Sequence, residues 1–274
     1  MDQQYPHQIK ASLSYGIDDG VMPVNETKDM KTKIPSYTGN FDQRAVPISN
    51  GRQTPEKLNL ESNGFELVEH NTKIKNFING TNIESAYYSE IEELIKKHTD
   101  AWKVVIFDHT IRTGNEIKRE KMLLREPVQR VHNDYTEWSG PQRVRDIIPG
   151  KEAEKLLKKR FAIIQVWRPI QPKIESNPLA LCDAQSLNDK DLIITERRYP
   201  DRIGQTYQVK YNANHSWFYF PEMKKNEAII FKVYDSEKDG RSRFTAHTSF
   251  EDPTTPDNAL PRESIEVRAL TFFN

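Results

Sequence analysis

Among its 274 residues the chain has a single cysteine, Cys182. One thiol excludes an internal disulfide framework and accords with a reducing compartment. Neither charge is in excess: 40 Lys and Arg stand against 40 Asp and Glu, a formal net charge of zero. The broad electrostatic footprint that nucleic acid or an anionic membrane surface requires is therefore missing, and small or neutral partners are favoured. No apolar run approaches the roughly 20 residues that span a bilayer. The start, "MDQQYPHQIK", lacks the apolar centre of a signal peptide. These absences lead to the expectation of a cytoplasmic protein with a small-molecule substrate and no nucleic-acid or membrane partner. There is no internal repeat or low-complexity segment, and no feature specifies an oligomeric state.

All-β barrels of this length often form one domain. We expect a single domain over 1–274, with an irregular N-terminal arm at 1–60 and helices plus a jelly-roll core at 61–274. The arm is polar, with the turn formers "IDDG", "SNG" and "QTPEK" and only short apolar alternations such as Ala11, Leu13, Tyr15. After the strand-like "GFELVEH", the segment "SAYYSEIEELIKKHTDA" places Tyr88, Ile91, Leu94 and Ile95 at helical spacing, with Ser89 as a candidate cap. "WKVVIFDHTIR" reads as a long buried strand, "GKEAEKLLKKRFA" as a short helix, and "FAIIQVWRPI" as a strand that ends at Pro169. The last third is almost wholly strand-like, through "TYQVKYN", "HSWFYFP", "EAIIFKVYDS", "FTAHTSFED" and "SIEVRALTFF". Many short strands after a helical region predict a mainly β fold, a double-stranded β-helix or jelly-roll barrel with helices on an outer face.

Chemistry enters with "QRVHNDYTEWSG". In an extended strand, residues i and i+2 share a face, so His132 and Asp134 would converge on one point, about 7 Å apart along the backbone. A third ligand emerges by elimination among the seven histidines. His7 and His98 read as exposed, His70 and His109 have no carboxylate placed to help, and His215 follows a turn. His247 sits inside "FTAHTSF" on a late strand. Two histidines and one carboxylate on a rigid barrel form a facial triad that leaves positions on Fe(II) open for a chelating cosubstrate and O2. An isolated His-x-Asp is more often a polar surface turn, so the motif needs support. That support is the basic strand after His247. Arg262, Ser264, Glu266 and Arg268 alternate there with Ile265, Val267 and Ala269, which puts polar groups on a face where a sandwich core would be apolar. An inward arginine needs an anion, and the Arg-x-Ser spacing of Arg262 and Ser264 suits the distal carboxylate of 2-oxoglutarate. Arg268, on the same face, is the alternative. A solvated edge strand with Arg262 paired to Glu263 or Glu266 is the plainer reading.

Taken together, "VHND", "VWRPI", "PLALCDAQSL", "YNANHSWFYFPEM", "KVYDS", "AHTSF" and "RESIEVRAL" resemble the hydroxylase/desaturase family of CmcJ-like and NvfI-like Fe(II)/2-oxoglutarate oxygenases, in order, from about Gly64 to Phe272. The resemblance implies the double-stranded β-helix fold, the cofactors Fe(II), 2-oxoglutarate and O2, and oxidation of a metabolite in natural-product biosynthesis by hydroxylation, desaturation or cyclisation. It implies iron ligation by His132, Asp134 and His247 and cosubstrate binding by Arg262. The chain departs from the family at Gln165, where asparagine is usual.

The other pocket candidates carry two readings each. Trp167 alternates with Gln165 and would line the pocket or fill the core. Arg168 would hold a substrate carboxylate or pair with Asp183. Tyr135 and Trp138, directly after the candidate ligands, would border the barrel mouth and either contact substrate or serve packing. The expected substrate is small and largely apolar or zwitterionic, held between aromatic walls. Two further function classes stay open: a cupin-like metal enzyme that does not use 2-oxoglutarate, and a non-catalytic β-sandwich binding module. In the second, His132 and His247 would lie far apart.

Overall fold

The computed structural model describes residues 5–27, 35–78, 80 and 83–274. In the N-terminal region the strands are β1 (Gln8–Gly16), β2 (Val24–Thr27), β3 (Pro35–Tyr37), β4 (Phe41–Asn50) and β5 (Phe65–Glu69). A π-helical turn at Ile83–Tyr87 leads into α1 (Tyr88–His98), followed by β6 (Lys103–Thr113), α2 (Glu116–Met122), the two-residue β7 (His132–Asn133), α3 (Ser139–Ile147) and α4 (Gly150–Leu156). Two 3-10 turns, at Ala184–Ser186 and Asp189–Asp191, interrupt the remaining strands, which are β8 (Phe161–Pro169), β9 (Leu179–Cys182), β10 (Leu192–Arg198), β11 (Ile203–Val209), β12 (Trp217–Tyr219), β13 (Glu227–Asp235), β14 (His247–Ser249) and β15 (Glu263–Phe272).

The strands form two sheets. One has five strands in the order β5-β13-β8-β15-β6, and the other has ten in the order β1-β4-β12-β9-β14-β7-β11-β10-β2-β3. This is the mainly β jelly roll expected of the sequence. Every residue of β8 is buried, so both faces of the five-stranded sheet are covered and its period-2 alternation separates two apolar environments. Ile163 and Trp167 join Phe231, Leu270, Leu181 and Phe244 in the core between the sheets. Ala162, Ile164 and Val166 face outward with Ile230, Ile265 and Val267, under Ile91, Leu94 and Ile95 of α1. Each such aliphatic side chain contributes roughly 1.5–3 kcal/mol by leaving water.

Two local expectations are corrected. Ser89 is not the cap of α1: the π-helical turn carries the helix backward past it, and its Oγ lies 3.4 Å from the Ser85 carbonyl one turn earlier. Among the described residues of the first 60, β1 and β4 are also longer than the few short strands expected of an irregular arm. β1 and β4 pair antiparallel from Gln8↔Ser49 to Gly16↔Phe41. Leu13, Tyr15, Val46 and Ile48 pack against Trp217, Tyr219 and Phe250 in a third cluster. In β4 the buried positions are Val46, Ile48 and Asn50, while the exposed ones include Ala45 and Pro47 as well as Gln43 and Arg44, so no clean apolar-polar alternation marks the strand in the sequence.

Candidate active site

β7 is short, but it lies at the centre of the ten-stranded sheet between β14 and β11. Its register puts His132 directly opposite His247, with ring centroids 4.4 Å apart. Asn133 points the other way and is fully buried. Its Nδ2 donates to the Tyr135 carbonyl at 2.7 Å and to the Val233 carbonyl at 2.9 Å, which pins the turn that follows. Asp134 thereby returns to the face of His132, with Oδ1 3.6 Å from His132 Nε2. One ligand atom from each of His132, Asp134 and His247 can be chosen so that all lie within 4.8 Å of one another.

The protonation pattern suits a cation. His132 Nδ1 donates to the Arg130 carbonyl at 2.7 Å, and His247 Nδ1 to the Thr245 carbonyl at 2.9 Å. Both Nε2 lone pairs are thus left for a metal. Burial, reinforced by His247, pushes the His132 imidazole down to about 3, so it is neutral at physiological pH. Burial opposes ionisation of Asp134, but Arg268, the two imidazoles and Gln165 outweigh it and hold the carboxyl well below the usual range. Asp134 Oδ2 accepts from Gln165 Nε2 at 2.5 Å and from Arg268 Nε at 3.2 Å, so Oδ1 is the oxygen turned toward the histidines. The longer side chain at position 165 therefore reaches the carboxylate.

β15 carries its polar face inward. Arg262, Ser264, Glu266 and Arg268 are all buried. Arg268 is already engaged: it bonds Glu266, Asp134, Thr110 Oγ1 at 3.0 Å and Asp108 at 3.4 Å. Arg262 uses Nη1 on the Asn177 carbonyl at 2.8 Å and on Ser249 Oγ at 3.2 Å, with its guanidinium over the Trp167 ring at 5.4 Å. Arg262 Nε, Ser264 Oγ and Trp167 Nε1 are buried and have no partner among the described residues. Burial and the neighbouring Arg112 lower the Arg262 guanidinium to about 9, an environment that favours an incoming anion. A narrow cavity of ≈ 20 Å³ is lined by His132 and His247 as well as by Arg262 and Trp167.

A second, larger cavity of ≈ 280 Å³ is lined by His132 and Asp134, and also by Tyr135 and Trp138. Trp167 belongs to the inner cavity instead, and Gln165 serves the carboxylate. Arg168 lies apart from both cavities. It follows Trp167 on β8 and so points to the opposite face, where it donates to the His70 and Lys225 carbonyls and contacts His70 Nδ1 at 2.9 Å. Asp183 is not its partner but bonds Asn63 and Gln185. Trp217 and Tyr219 of "HSWFYF" belong to the third apolar cluster. Other histidines also differ from expectation: His98 pairs with Glu66 at 2.9 Å, and His215 is buried against Asp191 at 3.2 Å. Sequence reasoning missed Asn133, and it missed Arg112, which lines both cavities. Arg112 sits opposite Ser264 across β6 and β15, so it follows from the strand register rather than from any motif.

A distant pair of histidines, as a binding module would have, is inconsistent with this geometry. A family model described as "Oxidoreductase/YMDC permease-like domain" matches residues 13–272; among the described residues no helix is long and apolar enough to cross a membrane. The alpha-ketoglutarate-dependent dioxygenase phiK of Fungal sp. is 34% identical over 277 residues, covering 97% of this chain and 96% of that protein. The hydroxylase/desaturase CTB9 of Cercospora beticola is 34% identical over 254 residues, covering 85% of this chain and 78% of that protein. A solved structure of the iron and alpha-ketoglutarate-dependent endoperoxidase NvfI superposes with a TM-score of 0.87 at 26% identity, covering 99% of this chain and 100% of that one. Fold, the convergence of His132, Asp134 and His247, and relatives spanning nearly the whole chain agree, and the chain belongs to the hydroxylase/desaturase family of Fe(II)/2-oxoglutarate-dependent dioxygenases.

Proposed function

We propose that His132, Asp134 and His247 hold Fe(II), that Arg262 and Ser264 receive the distal carboxylate of 2-oxoglutarate, and that the enzyme hydroxylates, desaturates or oxidatively cyclises a small metabolite in natural-product biosynthesis. The observation that carries this reading is the cross-strand juxtaposition of two imidazoles with free Nε2 atoms and one carboxylate oxygen. Borderline nitrogen donors and one hard oxygen, all on one side, are the donor set of a non-haem iron site.

With iron, 2-oxoglutarate and O2 bound, the site supplies an oxidant strong enough to remove hydrogen from an unactivated carbon. The chain's own residues orient and exclude. Gln165 and Arg268 fix one oxygen of Asp134 and leave the other for the metal. The orphaned Arg262 Nε, Ser264 Oγ and Trp167 Nε1 suit an anion that brings acceptors into the barrel. Arg268, saturated by its own acidic neighbours, is the weaker candidate for that task. Arg262 and Trp167 line the narrow cavity together, with the guanidinium 5.4 Å over the ring. Tyr135 and Trp138, on the larger cavity, are the substrate walls of this reading.

The reading extends to one domain over the whole chain, supported by the integration of β1 and β4 into the large sheet. It also extends to a cytoplasmic protein without nucleic-acid or membrane partners, supported by the net charge of zero and the lone buried cysteine. The test is anaerobic addition of Fe(II) and 2-oxoglutarate. A weak visible charge-transfer band is expected in the wild type and is expected to vanish in His132→Ala and Asp134→Ala, with folding unchanged by circular dichroism. Wild-type iron affinity in either variant would remove the ligand assignment.

A further inference from the structure

The larger cavity has a charge imbalance that the chain as a whole lacks. Seven arginines and three aspartates line it, against a net charge of zero overall. The aspartates are engaged. Asp134 and Asp108 face Arg268, and Asp146 accepts from Gln142 and lies 3.9 Å from Arg143.

Five guanidinium groups remain, and none is ion-paired among the described residues. Arg112 donates to the Glu126 carbonyl. Arg130 lies over the rings of Tyr37 and Phe41 at 4.7 and 5.7 Å. Arg197 bonds the Tyr199 phenol, and Arg202 lies 4.2 Å over the same ring. Arg125 has no side-chain partner there. These residues come from β6, from the chain before β7, from β10 and from the turn after it, so no local charge run explains the cluster. Burial, then Arg197 and Arg268, lower the Arg125 guanidinium. Like charges crowded in a partly enclosed space repel one another and focus a positive potential, and an anion relieves both effects.

We infer that the substrate enters as a small organic acid with at least two ionised carboxylates, anchored by Arg125 and Arg197 beside the proposed iron site. A carboxylate has about four lone-pair sites and so satisfies at most two bidentate guanidinium groups. Setting aside Arg112, which also lines the inner cavity, and Arg202, which is exposed, Arg125, Arg130 and Arg197 remain, still more guanidinium groups than one carboxylate satisfies. The cavity, ≈ 280 Å³, suits a small molecule. The anion is distinct from the cosubstrate, because Arg125 and Arg197 line the larger cavity and are absent from the lining of the inner one that holds Arg262. The inference rests on the dioxygenase reading and replaces both the largely apolar or zwitterionic substrate and the Arg168 anchor expected of the sequence.

The experiment is calorimetric titration of the full-length protein with a panel of cyclic and linear dicarboxylic acids and their matched dimethyl esters, in the presence of saturating 2-oxoglutarate and Fe(II) without oxygen. Saturable binding of a diacid is expected, at least tenfold tighter than its diester and weakened by added salt. The Arg125→Gln, Arg197→Gln double variant is expected to weaken that binding at least thirtyfold while leaving the iron and 2-oxoglutarate charge-transfer titration within twofold of wild type. Arg202→Gln, on the exposed rim, is expected to weaken it severalfold and guards against misfolding of the double variant. Diesters that bind as tightly as diacids, no diacid binding at all, or unchanged diacid affinity in the variants would overturn the inference. The band is read separately, so its loss in the wild type strikes the iron assignment while the calorimetry still decides this one.

Discussion

Arg262, immediately before β15, and Arg268 within it alternate onto one face, yet their surroundings differ. Arg268 is committed to Asp134, Glu266 and Asp108, which outweigh its burial and raise its guanidinium further above the ordinary value. Arg262 retains an unused Nε beside an unused Ser264 hydroxyl. Arg262→Met is therefore expected to raise the 2-oxoglutarate concentration for half-maximal turnover by more than tenfold, since losing one partner of a buried charge pair costs about 2–5 kcal/mol. Arg268→Met is expected instead to weaken Fe(II) binding, because Asp134 loses its cation. Steady-state titration of the cosubstrate and anaerobic titration of iron separate the two. The reverse pattern would exchange the roles. Glycine 140 offers a steric test at the same scale: a Cβ there would meet the Tyr234 ring at 2.6 Å, and that ring is stacked on Phe161. Gly140→Ala is expected to destabilise the fold by about 1–3 kcal/mol through overpacking, measured by chemical denaturation.

At the level of elements, β1 is tied to the sheet by a buried polar chain as well as by its ladder. Trp217 Nε1 donates to Tyr15 Oη at 2.7 Å, Tyr15 Oη lies 3.4 Å from His215 Nδ1, and His215 Nε2 lies 3.2 Å from Asp191. Burial lowers the His215 imidazole more than Asp191 raises it. The native state thus holds this histidine neutral where the unfolded chain, at about 6.5, takes up a proton. The unfolded state binds more protons in that window, so stability is full above it and falls as pH drops below about 6.5. Urea unfolding across this range is expected to show the loss. His215→Gln is expected to flatten that part of the profile, and an unchanged slope would remove His215 as its source. The helix α1 was legible in its apolar spacing, but its π-helical entrance was not, because tertiary packing of Tyr87 and Ile83 in the outer cluster sets that first turn.

Across the whole molecule, the N-terminal strands complete a sheet rather than decorate it. β4 pairs with β12 at Trp217↔Ile48, and β12 borders β9, which in turn pairs with the strand that holds His247. Removal of residues 1–50 would uncover Trp217, Tyr219 and Phe250 and open a sheet edge. The truncated chain is expected to be insoluble or to lack a cooperative transition in thermal melting. A soluble, cooperatively folding product that binds iron would show that the first strands are an accessory.

From residue order came the class of fold, the pairing of His132 with Asp134 as candidates and the inward polar face of β15, because strand alternation is a local rule. His247 came from elimination among the histidines and from the family resemblance, and the turn that brings Asp134 back to the His132 face is fixed by buried Asn133. Local order could not decide which arginine is free, since Arg268 is saturated by Asp108 and Asp134 from other segments. Alternation alone sets Arg168, one residue beyond Trp167, on the opposite face of β8, but that this face is the helix side follows only from how the strands pair and pack, which residue order does not state. The unpaired arginines of the larger cavity were beyond its reach for the same reason. They are scattered from Arg112 to Arg202 in a chain whose charges cancel, and only the tertiary structure brings them around one space.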